Sequence, residues 1–336
     1  MKESFLQTRL SILVVGGAGY IGSHMVKTLG EHGHSITTFD NLSSGHEDSV
    51  KHGKFVMGDL SNQADIDNAF KIDQFDVVMH FASSIEVGES VKDPIKYYHN
   101  NVSNTLNLLR SLIKFNVKKF IFSSTAAIFG DPKYIPIDEN HPKNPINPYG
   151  QSKLMVENIL KDYDSAYGLK SACLRYFNAA GADPSSDLRE RHDPETHLIP
   201  LVLMAASGRR KDISLFGSDY ETKDGTCIRD FIHVNDLCAA HLLAINYLFK
   251  KNKSVSLNLG NGEGFSVQEV ITTAKKITNK DIQVINKPRR DGDPAILVAN
   301  SKLAKETLEW KPKYTSLDEI IRHAWEAERK FNNQYE

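Results

Sequence analysis

The 336-residue sequence is poor in cysteine and carries almost no net charge. It contains 3 cysteines, and its 41 Lys and Arg residues nearly balance its 42 Asp and Glu residues. Three cysteines without C-x-x-C spacing favour reduced thiols, and so a cytoplasmic location, over disulfides or a zinc site. The balanced charge, with no basic run longer than the three residues 209–211 (RRK), argues against nucleic acid or an anionic membrane as a partner.

Long apolar segments are also missing. The sequence has no run of about 18 apolar residues, so it predicts no membrane span. Residues 1–9 have no apolar stretch of the kind found in secretory signals. The 13 histidines form no H-x-x-x-H or similar cluster, and we expect no bound metal. What remains is a globular chain long enough for two domains or one large one.

Near the N-terminus, a strand pattern leads directly into a glycine-rich turn. Residues 10–15 (LSILVV) are apolar and largely β-branched, residues 16–22 read GGAGYIG, and apolar residues follow at helical spacing from 21 to 29. Strand, glycine turn and helix in this order predict a dinucleotide site. The pyrophosphate would lie at the N-terminus of the helix.

The end of the second predicted strand favours one of the two nicotinamide cofactors. Residues 35–39 form this strand, and Asp40 follows it directly. A carboxylate there accepts hydrogen bonds from a ribose diol and repels a 2′-phosphate. Since residues 41–44 (NLSS) include no arginine that would bind a 2′-phosphate, the sequence predicts NAD rather than NADP.

A tyrosine and a lysine form a candidate proton-transfer pair. Tyr149 and Lys153 are four residues apart in a predicted helix over 149–167, so they share one face. The phenol has a reference pKa of about 10, which makes it a poor base at neutral pH. A cation about 4 Å away contributes roughly 4 kcal/mol at an effective dielectric of about 20, equal to about 3 pKa units. We therefore expect a general base at Tyr149.

Strand-like and helical patterns alternate along the first half of the chain. Further apolar strand runs occur at 76–81, 119–123 and 171–176, and helical patterns occur at about 100–115 and 149–167. This alternation predicts an α/β fold, with an NAD-binding Rossmann domain built on a doubly wound parallel sheet.

The pattern changes after residue 178. Residues 180–195 are rich in Gly, Pro, Asp and Ser, and the later strand runs at 228–233 and 255–259 are short. We expect a Rossmann domain over 1–180, with returning segments near 228–262. A smaller C-terminal α/β domain over 181–336 would bind the substrate, in a cleft between the two domains.

Taken in order, these motifs resemble those of the extended short-chain dehydrogenase/reductase superfamily, and within it the UDP-glucose 4-epimerases. The resemblance extends from about residue 10 to residue 326. Its longer matching segments are 80–83 (HFAS), 122–124 (FSS), 175–178 (RYFN), 224–230 (DGTCIRD), 258–260 (NLG) and 289–293 (RRDGD).

The resemblance implies a mechanism for interconverting UDP-glucose and UDP-galactose. Tyr149 would take the proton of the sugar 4-hydroxyl while tightly bound NAD takes hydride from C4. The 4-keto sugar would then rotate to present its opposite face to the cofactor, and the hydride would return to C4 from that side. Lys153 would bind the nicotinamide ribose and stabilise the phenolate, and Thr125 would hydrogen-bond the 4-hydroxyl. Helices starting near Asn100 and Tyr149 match those that form the two-fold contact of a homodimer.

The resemblance also implies two sets of binding residues. Those for the cofactor, besides Tyr149 and Lys153, are Gly16, Gly19, Tyr20, Ile21, Gly22, Asp40, Asn41, Ser43, Ser44, Asp59, Leu60, Phe81, Ala82, Ser83, Asn100, Ser123 and Phe177. Those for the UDP-sugar, besides Thr125 and Tyr149, are Asn178, His197, Leu198, Ser214, Phe216, Arg229, Arg290, Asp293 and Leu297. Within the second set, Leu198 and Phe216 would frame uracil. Two guanidinium groups, on Arg229 and Arg290, suit a diphosphate, and Asp293 would bind the uridine ribose.

Three departures from the family pattern bear on specificity. Residues 84–86 (SIE) lack a lysine that several members use to contact the cofactor, and His197 replaces an asparagine that contacts the sugar in some members. Leu297 stands where members carry a bulky tyrosine or a small residue; a small one admits an N-acetyl group at C2. We therefore favour UDP-glucose and UDP-galactose, with 4-epimerisation of UDP-N-acetylglucosamine or UDP-glucuronate as open alternatives.

Two other classes of function fit the sequence less well. A nucleotide-sugar 4,6-dehydratase carries Asp-Glu directly after the active Ser or Thr, whereas Thr125 is followed by Ala126 and Ala127. A non-catalytic NAD sensor on the same fold has no need of a proton-transfer pair, yet Tyr149 and Lys153 are both present.

Overall fold

The computed structural model describes residues 9–290 and 293–332. Two sequence-based expectations therefore fall partly outside it. Most of the N-terminal segment expected to lack a secretory signal lies in residues 1–8, and residues 291–292 belong to the segment 289–293. In the described part of the chain, no helix is both long enough and apolar enough to cross a membrane.

The described residues form fourteen strands and eleven α-helices, numbered here along the chain. The strands are β1 Ser11–Val15, β2 Ser35–Asp40, β3 Lys54–Met57, β4 Val77–His80, β5 Lys119–Thr125, β6 Lys170–Tyr176, β7 Asn178–Ala180, β8 Ile213–Phe216, β9 Ile228–Arg229, β10 Phe231–His233, β11 Val255–Leu259, β12 Phe265–Ser266, β13 Val284–Lys287 and β14 Ile296–Leu297. The helices are α1 Tyr20–Glu31, α2 Gln63–Phe70, α3 Val87–Lys92, α4 Pro94–Tyr98, α5 Asn104–Lys114, α6 Pro148–Tyr167, α7 Leu198–Ala206, α8 Val234–Lys251, α9 Val267–Thr278, α10 Lys302–Leu308 and α11 Leu317–Asn332.

Seven parallel strands form the central sheet, in the order β3-β2-β1-β4-β5-β6-β11. The chain winds outward in one direction from β1 to β3 and in the other from β4 to β11. The order therefore reverses between β1 and β4, and a crevice opens at their carboxyl ends. The predicted doubly wound parallel sheet is confirmed.

Strand β1 shows why this sheet is covered on both faces. Its residues alternate between two buried apolar clusters: Ile12 and Val14 belong to one, and Leu13 and Val15 to the other. Helices α1 and α8 contribute to the first cluster, whereas α2, α5 and α6 contribute to the second. A strand buried on both faces requires the continuous apolar run that the sequence has there.

The C-terminal strands form three small sheets, ordered β10-β7, β12-β9-β14 and β13-β8. The single strand predicted over 228–233 is wrong, because β9 and β10 belong to different sheets. Asp230 lies between them, and its buried carboxylate accepts backbone hydrogen bonds from Asn261, Gly262 and Ala299. These bonds anchor the chain where it passes between the two sheets. Strand β11 lies at the edge of the central sheet, and the domain boundary near residue 180 stays a prediction.

The helix predicted over 100–115 is only partly regular. Residues 99–103 form a π-helical turn, and the α-helix α5 begins at Asn104. A π-turn inserts one extra residue per turn and is frequent near functional sites. Here it lies beside the loop that follows β4, next to the crevice at the reversal of strand order.

Candidate active site

The glycine-rich turn lies at the carboxyl end of β1. Gly16 has a φ of +79°, and a Cβ there would lie 2.4 Å from the backbone nitrogen of Ala82, so the position requires glycine. Gly19 precedes α1 without a side-chain cap, and the first turn of α1 has no acidic residue. The N–H groups of that turn are therefore open to an anion, which fits the pyrophosphate of NAD.

The first two residues of α1 have contacts of their own. Tyr20 is buried, and its hydroxyl donates to the carbonyl oxygen of Gly181 at 2.8 Å. Ile21 packs against the apolar cluster beneath the helix. This hydrogen bond connects the start of α1 to the segment that follows β7. Tyr20 therefore has a structural role besides the cofactor contact predicted for it.

At the carboxyl end of β2, Asp40 is held in place by the backbone. One carboxylate oxygen accepts from the N–H of Ala18 at 3.0 Å, and the other accepts from Leu42 at 2.8 Å. Each carboxylate oxygen has a second lone pair, so the group can still accept from a ribose diol. This placement beside the glycine turn agrees with the expected recognition of NAD.

Other residues expected on the adenosine side lie in the loops after β2 and β3. The side-chain amide of Asn41 donates to Asp59 Oδ2 at 2.7 Å. Hydrogen bonds from Asn41 and Ser61 lower the pKa of Asp59, so its carboxylate is charged at neutral pH. Leu60 is buried next to it, whereas Ser43 and Ser44 are exposed on the neighbouring loop.

The loop after β4 joins the glycine turn to the catalytic helix α6. Ala82 contacts Gly16, and Phe81 packs with its ring centroid 5.2 Å from that of His241. Farther along the loop, Ser84 Oγ accepts a hydrogen bond from the side chain of Asn100 at 3.2 Å. The structure thus brings these three predicted cofactor residues, 81, 82 and 100, to one side of the crevice.

Lys153 is buried, with 2% of its surface exposed. Its ammonium group donates to Ser83 Oγ at 2.6 Å and to the carbonyl oxygen of Ser123 at 2.8 Å. The Ser123 hydroxyl itself is hydrogen-bonded to that of Tyr176. Burial lowers the pKa of Lys153 to about 7. Lys153 is therefore hydrogen-bonded to two predicted site residues, Ser83 and Ser123. It lies one helical turn from a third, Tyr149, on α6.

Tyr149 and Thr125 are brought together at the end of β5. The Tyr149 hydroxyl is hydrogen-bonded to the Thr125 side chain, and Thr125 is itself buried. Burial raises the pKa of Tyr149, and the bond with Thr125 lowers it only in part. The expectation that Lys153 alone brings this phenol close to pH 7 is therefore wrong for this structure. The ammonium is engaged by Ser83 and Ser123, and its own pKa is depressed.

Two buried polar residues that the sequence analysis missed position the catalytic helix. The Asn101 amide bonds to the backbone of Ser84 and donates to Ser152 Oγ on α6. Glu157 accepts from Arg175 at 2.6 and 2.8 Å, and from Ser124 at 2.7 Å. A signal for Glu157 exists in the sequence, because it follows Lys153 by four residues and so lies on the same face of the helix.

On the substrate side, Arg229 and Asp293 contact each other. Arg229 Nη2 donates to Asp293 Oδ1 at 2.8 Å, and Nη1 donates to the carbonyl oxygen of Pro294 at 2.8 Å. The ion-pair partner of Arg229 is thus Asp293, and not Asp230, which follows it in sequence. A guanidinium has five N–H donors, so Arg229 retains capacity for a diphosphate.

The residues expected to frame uracil lie in different elements. The Arg290 guanidinium lies 3.9 Å from the centroid of the Phe216 ring at the end of β8, a cation–π contact. Ser214 is two residues earlier on the same strand, so both side chains point to one face. Leu198 begins α7 and packs against the C-terminal apolar cluster.

Leu297 and Phe177 contribute to one apolar wall. Both pack against the small buried cluster of Ile128, Phe129 and Ile137. Strand pairing also places Leu297 opposite Arg229. The side chain of Asn178, which follows Phe177, donates to the carbonyl oxygen of Asp230 at 3.1 Å. The residues predicted next to nicotinamide, sugar and diphosphate are therefore neighbours in space, although they are spread over residues 177–297 of the sequence.

His197 is engaged by acidic neighbours. It precedes α7, and its Nδ1 lies 2.6 Å from Glu190 Oε1. Burial by itself lowers the pKa of this imidazole, but the Glu190 carboxylate raises it overall. His192 and Glu195 belong to the same group of side chains. A histidine held in this way offers a sugar only its Nε2, whereas the asparagine that the family resemblance suggests here would offer both a donor and an acceptor.

The depressed pKa of Lys153 leads to a prediction about stability. Between pH 7 and the unfolded-state pKa of 10.5, the unfolded lysine binds a proton that the buried one releases. In nucleotide-free protein, the free energy of unfolding therefore rises with pH by at most about 1.4 kcal/mol per pH unit from this group. Lys153→Met should remove that rise in urea denaturation at pH 7 and pH 9. Lys161→Met, on the exposed face of α6, should keep it; an equal pH dependence in both variants would contradict the assignment.

A parallel Rossmann sheet with a glycine turn, an acidic residue at the end of β2, and a Tyr–Lys pair whose lysine is buried defines a class of NAD-dependent enzymes. Residues 12–260 match the model of the NAD dependent epimerase/dehydratase family. The match covers well over half of the chain. This protein therefore belongs to the NAD dependent epimerase/dehydratase family, as the sequence resemblance indicated.

Individual relatives are similar over nearly their whole length. The UDP-glucose 4-epimerase of Halalkalibacterium halodurans is 49% identical over 326 residues, which cover 97% of this chain and 98% of the relative. The crystal structure of UDP-glucose 4-epimerase from Brucella ovis in complex with NAD is 47% identical, with a TM-score of 0.92, 94% of this chain and 98% of that one covered. The UDP-Glc/GlcNAc 4-epimerase of Campylobacter jejuni is 44% identical, with a TM-score of 0.84 and coverage of 96% and 99%.

Proposed function

We propose that this protein is a UDP-glucose 4-epimerase that uses NAD to interconvert UDP-galactose and UDP-glucose. The observation that carries the proposal is the Tyr149–Thr125 hydrogen bond at the end of β5, with the buried Lys153 one turn farther along α6. It occurs in a chain that is 49% identical to a UDP-glucose 4-epimerase over almost its full length.

The residues around the crevice fit NAD. The open N-terminus of α1 suits the pyrophosphate, and Asp40 suits the diol of the adenosine ribose. Lys153 and Ser83, which are hydrogen-bonded to each other, would bind the second ribose. When bound, NAD supplies a reversible hydride acceptor for C4 of the sugar and a positive charge near the phenol.

Tyr149 then moves one proton in each direction. It takes the proton of the sugar 4-hydroxyl as C4 is oxidised, and it returns that proton to O4 when the opposite epimer forms. Thr125 fixes the phenol oxygen and bonds the same hydroxyl. Because burial raises the pKa of Tyr149, the phenolate requires the charge of a ligand in addition to that of Lys153. Proton abstraction is thereby restricted to the complex with cofactor.

The nucleotide half of the substrate binds between β8, β9 and the residues after β13. Arg229 and Arg290 bind the diphosphate, Asp293 binds the uridine ribose, and Phe216 and Leu198 frame the base. The existing Arg229–Asp293 ion pair supports this placement, because it fixes both side chains before the ligand arrives. Pre-ordered side chains lose less entropy on binding.

Leu297 favours UDP-galactose over its N-acetylated counterpart. The residue belongs to the same apolar wall as Phe177, so added bulk at C2 of the sugar has to displace packed side chains. The 44% identical Campylobacter jejuni enzyme is described as acting on both UDP-Glc and UDP-GlcNAc, which keeps the second activity as an alternative. Ala126 and Ala127 form a tight turn after Thr125 and supply no acid for a 4,6-dehydratase.

The direct test is turnover without added cofactor. Purified protein is incubated with UDP-galactose, UDP-N-acetylgalactosamine or UDP-glucuronate, and the products are resolved by NMR. We expect UDP-glucose from the first, at a rate at least about tenfold above that of the second, the scale on which one pocket contact discriminates. No conversion of UDP-galactose, even with NAD added, would refute the proposed activity.

We also propose a homodimer. Large apolar side chains are exposed on α3, α4, α5 and α6, which contact one another through α6 and the π-turn. They include Ile95, which is 80% exposed, Val91 at 62%, Met155 at 40% and Leu106 at 37%. Exposed apolar residues on adjacent elements are typical of an association surface. These are the elements that the family resemblance assigns to the two-fold contact.

A single charge on this surface should dissociate the dimer. Ile95→Asp buries an unpaired carboxylate if the surface is an interface, which is strongly unfavourable. Light scattering at micromolar concentration should then give the monomer mass for this variant and twice that mass for the wild type. Ile72→Asp is the matched control, because Ile72 is exposed beyond α2, outside the proposed interface. A dimer that tolerates Ile95→Asp, or a monomeric wild type, would count against the proposal.

A further inference from the structure

Four side chains converge in the segment before α7, apart from the proton-transfer group. They belong to Glu190, His192, Glu195 and His197, and one ligand atom from each lies within 4.8 Å of all the others. We propose that these residues form a binding site for a divalent transition metal, Zn²⁺ by its donor set. The proposal departs from the sequence-based expectation of no bound metal, because the spacing E-x-H-x-x-E-x-H of residues 190–197 is not one of the common zinc-ligand patterns.

The distances in the cluster match those between ligands of a tetrahedral ion. Four ligands about 2.1 Å from Zn²⁺ are about 3.4 Å from one another. His192 Nδ1 lies 3.2 Å from Glu190 Oε1 and 3.8 Å from Glu195 Oε1. His197 Nδ1 lies 2.6 Å and 3.6 Å from the same two oxygens. These four N–O distances differ from the ideal by at most about 0.8 Å, and all four ligand atoms lie within 4.8 Å of one another.

The polar atoms at the centre of the cluster are not satisfied by hydrogen bonds. Glu190 is 7% exposed, and its Oε1 has no hydrogen-bond partner of normal geometry among the described residues. The same holds for Nδ1 of His192 and of His197. Buried polar atoms normally make aligned hydrogen bonds. These three atoms contact one another only as ion pairs without such alignment, which fits three groups that share one ligand.

An ion-pair network of two imidazolium and two carboxylate groups is the alternative. Such a network gains most from linear N–H···O bonds, whereas both histidines here approach the same Glu190 oxygen without forming one. A central cation instead takes one lone pair from each group, which requires convergence and not N–H···O alignment. The geometry therefore favours a metal.

The surroundings of the cluster suit a metal site. Glu195 Oε1 accepts backbone hydrogen bonds from Thr196 at 2.8 Å and His197 at 2.9 Å. These bonds fix the orientation of the carboxylate, as outer partners of metal ligands do, and leave its other oxygen, Oε2, to bind an ion. A cavity of about 280 Å³ borders Glu190, His192 and Glu195, which gives an ion a route of entry. Two imidazoles and two carboxylates suit Zn²⁺, whereas Ca²⁺ and Mg²⁺ prefer oxygen ligands alone.

The position of the site indicates a structural role. The same segment reaches the loop after β2, where Arg191 pairs with Asp48 and its carbonyl oxygen contacts His46. The His192 ring also lies edge-on to Tyr20, at the first residue of α1. With four protein ligands the coordination is closed, as in structural zinc sites. A bound ion would thus fix the segment that connects α7 to the nucleotide-binding loops.

The test is metal binding by the full-length protein after dialysis against a chelator. We expect one Zn²⁺ per chain by calorimetry and by elemental analysis, a rise in melting temperature with added Zn²⁺, and the visible absorption of four-coordinate Co²⁺. His192→Gln and Glu195→Gln should each weaken Zn²⁺ binding by more than the roughly 10- to 100-fold caused by loss of an outer-shell partner. Glu195→Gln preserves side-chain size and the backbone hydrogen bonds, so it tests the site even if His192→Gln folds poorly.

His32→Gln is the matched control, because it removes an exposed histidine at the end of α1 and should leave Zn²⁺ binding unchanged. The three cysteines, Cys173, Cys227 and Cys238, are buried and unpaired and should not compete for the metal. Absence of stoichiometric Zn²⁺ uptake by the wild type, or uptake that survives both substitutions in the cluster, would overturn the proposal.

Discussion

Tyr149→Phe should abolish epimerisation while NAD stays bound. The substitution removes one oxygen, and with it the group that exchanges a proton with the sugar 4-hydroxyl. Loss of a positioned general base costs about 10²- to 10⁴-fold in rate, and we expect kcat for UDP-galactose to fall by about 10³-fold. The ring remains to pack against Tyr97, so the fold and the NAD content of the purified protein should be unchanged.

The matched control is Tyr167→Phe. Tyr167 ends the same helix, and half of its surface is exposed, so removal of its hydroxyl should leave kcat unaffected. Thr125→Ser keeps the hydroxyl that bonds to Tyr149 and should retain most activity, whereas Thr125→Val should not. Full turnover in Tyr149→Phe would place the base elsewhere and refute the proposed mechanism.

Gly22→Ala should prevent tight binding of NAD. A Cβ at this position would lie 2.1 Å from the carbonyl oxygen of Gly16 and 2.8 Å from the Cα of Gly17. Both contacts are with backbone, so the glycine turn has to move away from α1. Displacement of a packed element costs about 1–3 kcal/mol, which corresponds to a loss of NAD affinity of about 10- to 100-fold.

The amount of NAD released per chain on denaturation of the purified protein tests this loss directly. Calorimetry gives the dissociation constant for NAD. Gly88→Ala is the control, because Gly88 is exposed on α3 with no atom within 4 Å of an added Cβ. Melting curves separate loss of NAD from loss of the fold. Normal NAD content in Gly22→Ala would mean that the turn does not hold the pyrophosphate as proposed.

Much of the fold followed from local patterns. The run at residues 12–15 is apolar because both faces of β1 are buried there, and the turn at 16–22 needs glycines because a Cβ at Gly16 or Gly22 would clash with backbone atoms. Such features depend on neighbours in sequence or on a single packing contact, so they can be predicted from the sequence. The segment 228–233 was misread for the opposite reason. It has the β-branched and aromatic composition of one strand, but the buried carboxylate of Asp230 binds backbone groups from residues 261, 262 and 299.

The sequence by itself determined the class of this protein: a parallel nucleotide-binding sheet, NAD as cofactor, and a Tyr–Lys pair for proton transfer. These depend on residue type and short spacing, which set the strand, turn and helix directly. Only the tertiary structure decided how the groups interact. Lys153 is directed at Ser83 and Ser123, and burial raises the pKa of Tyr149. The sequence also does not predict that the side chains of Glu190, His192, Glu195 and His197 converge. Distances, burial and pKa depend on how distant segments pack, and sequence spacing does not specify that packing.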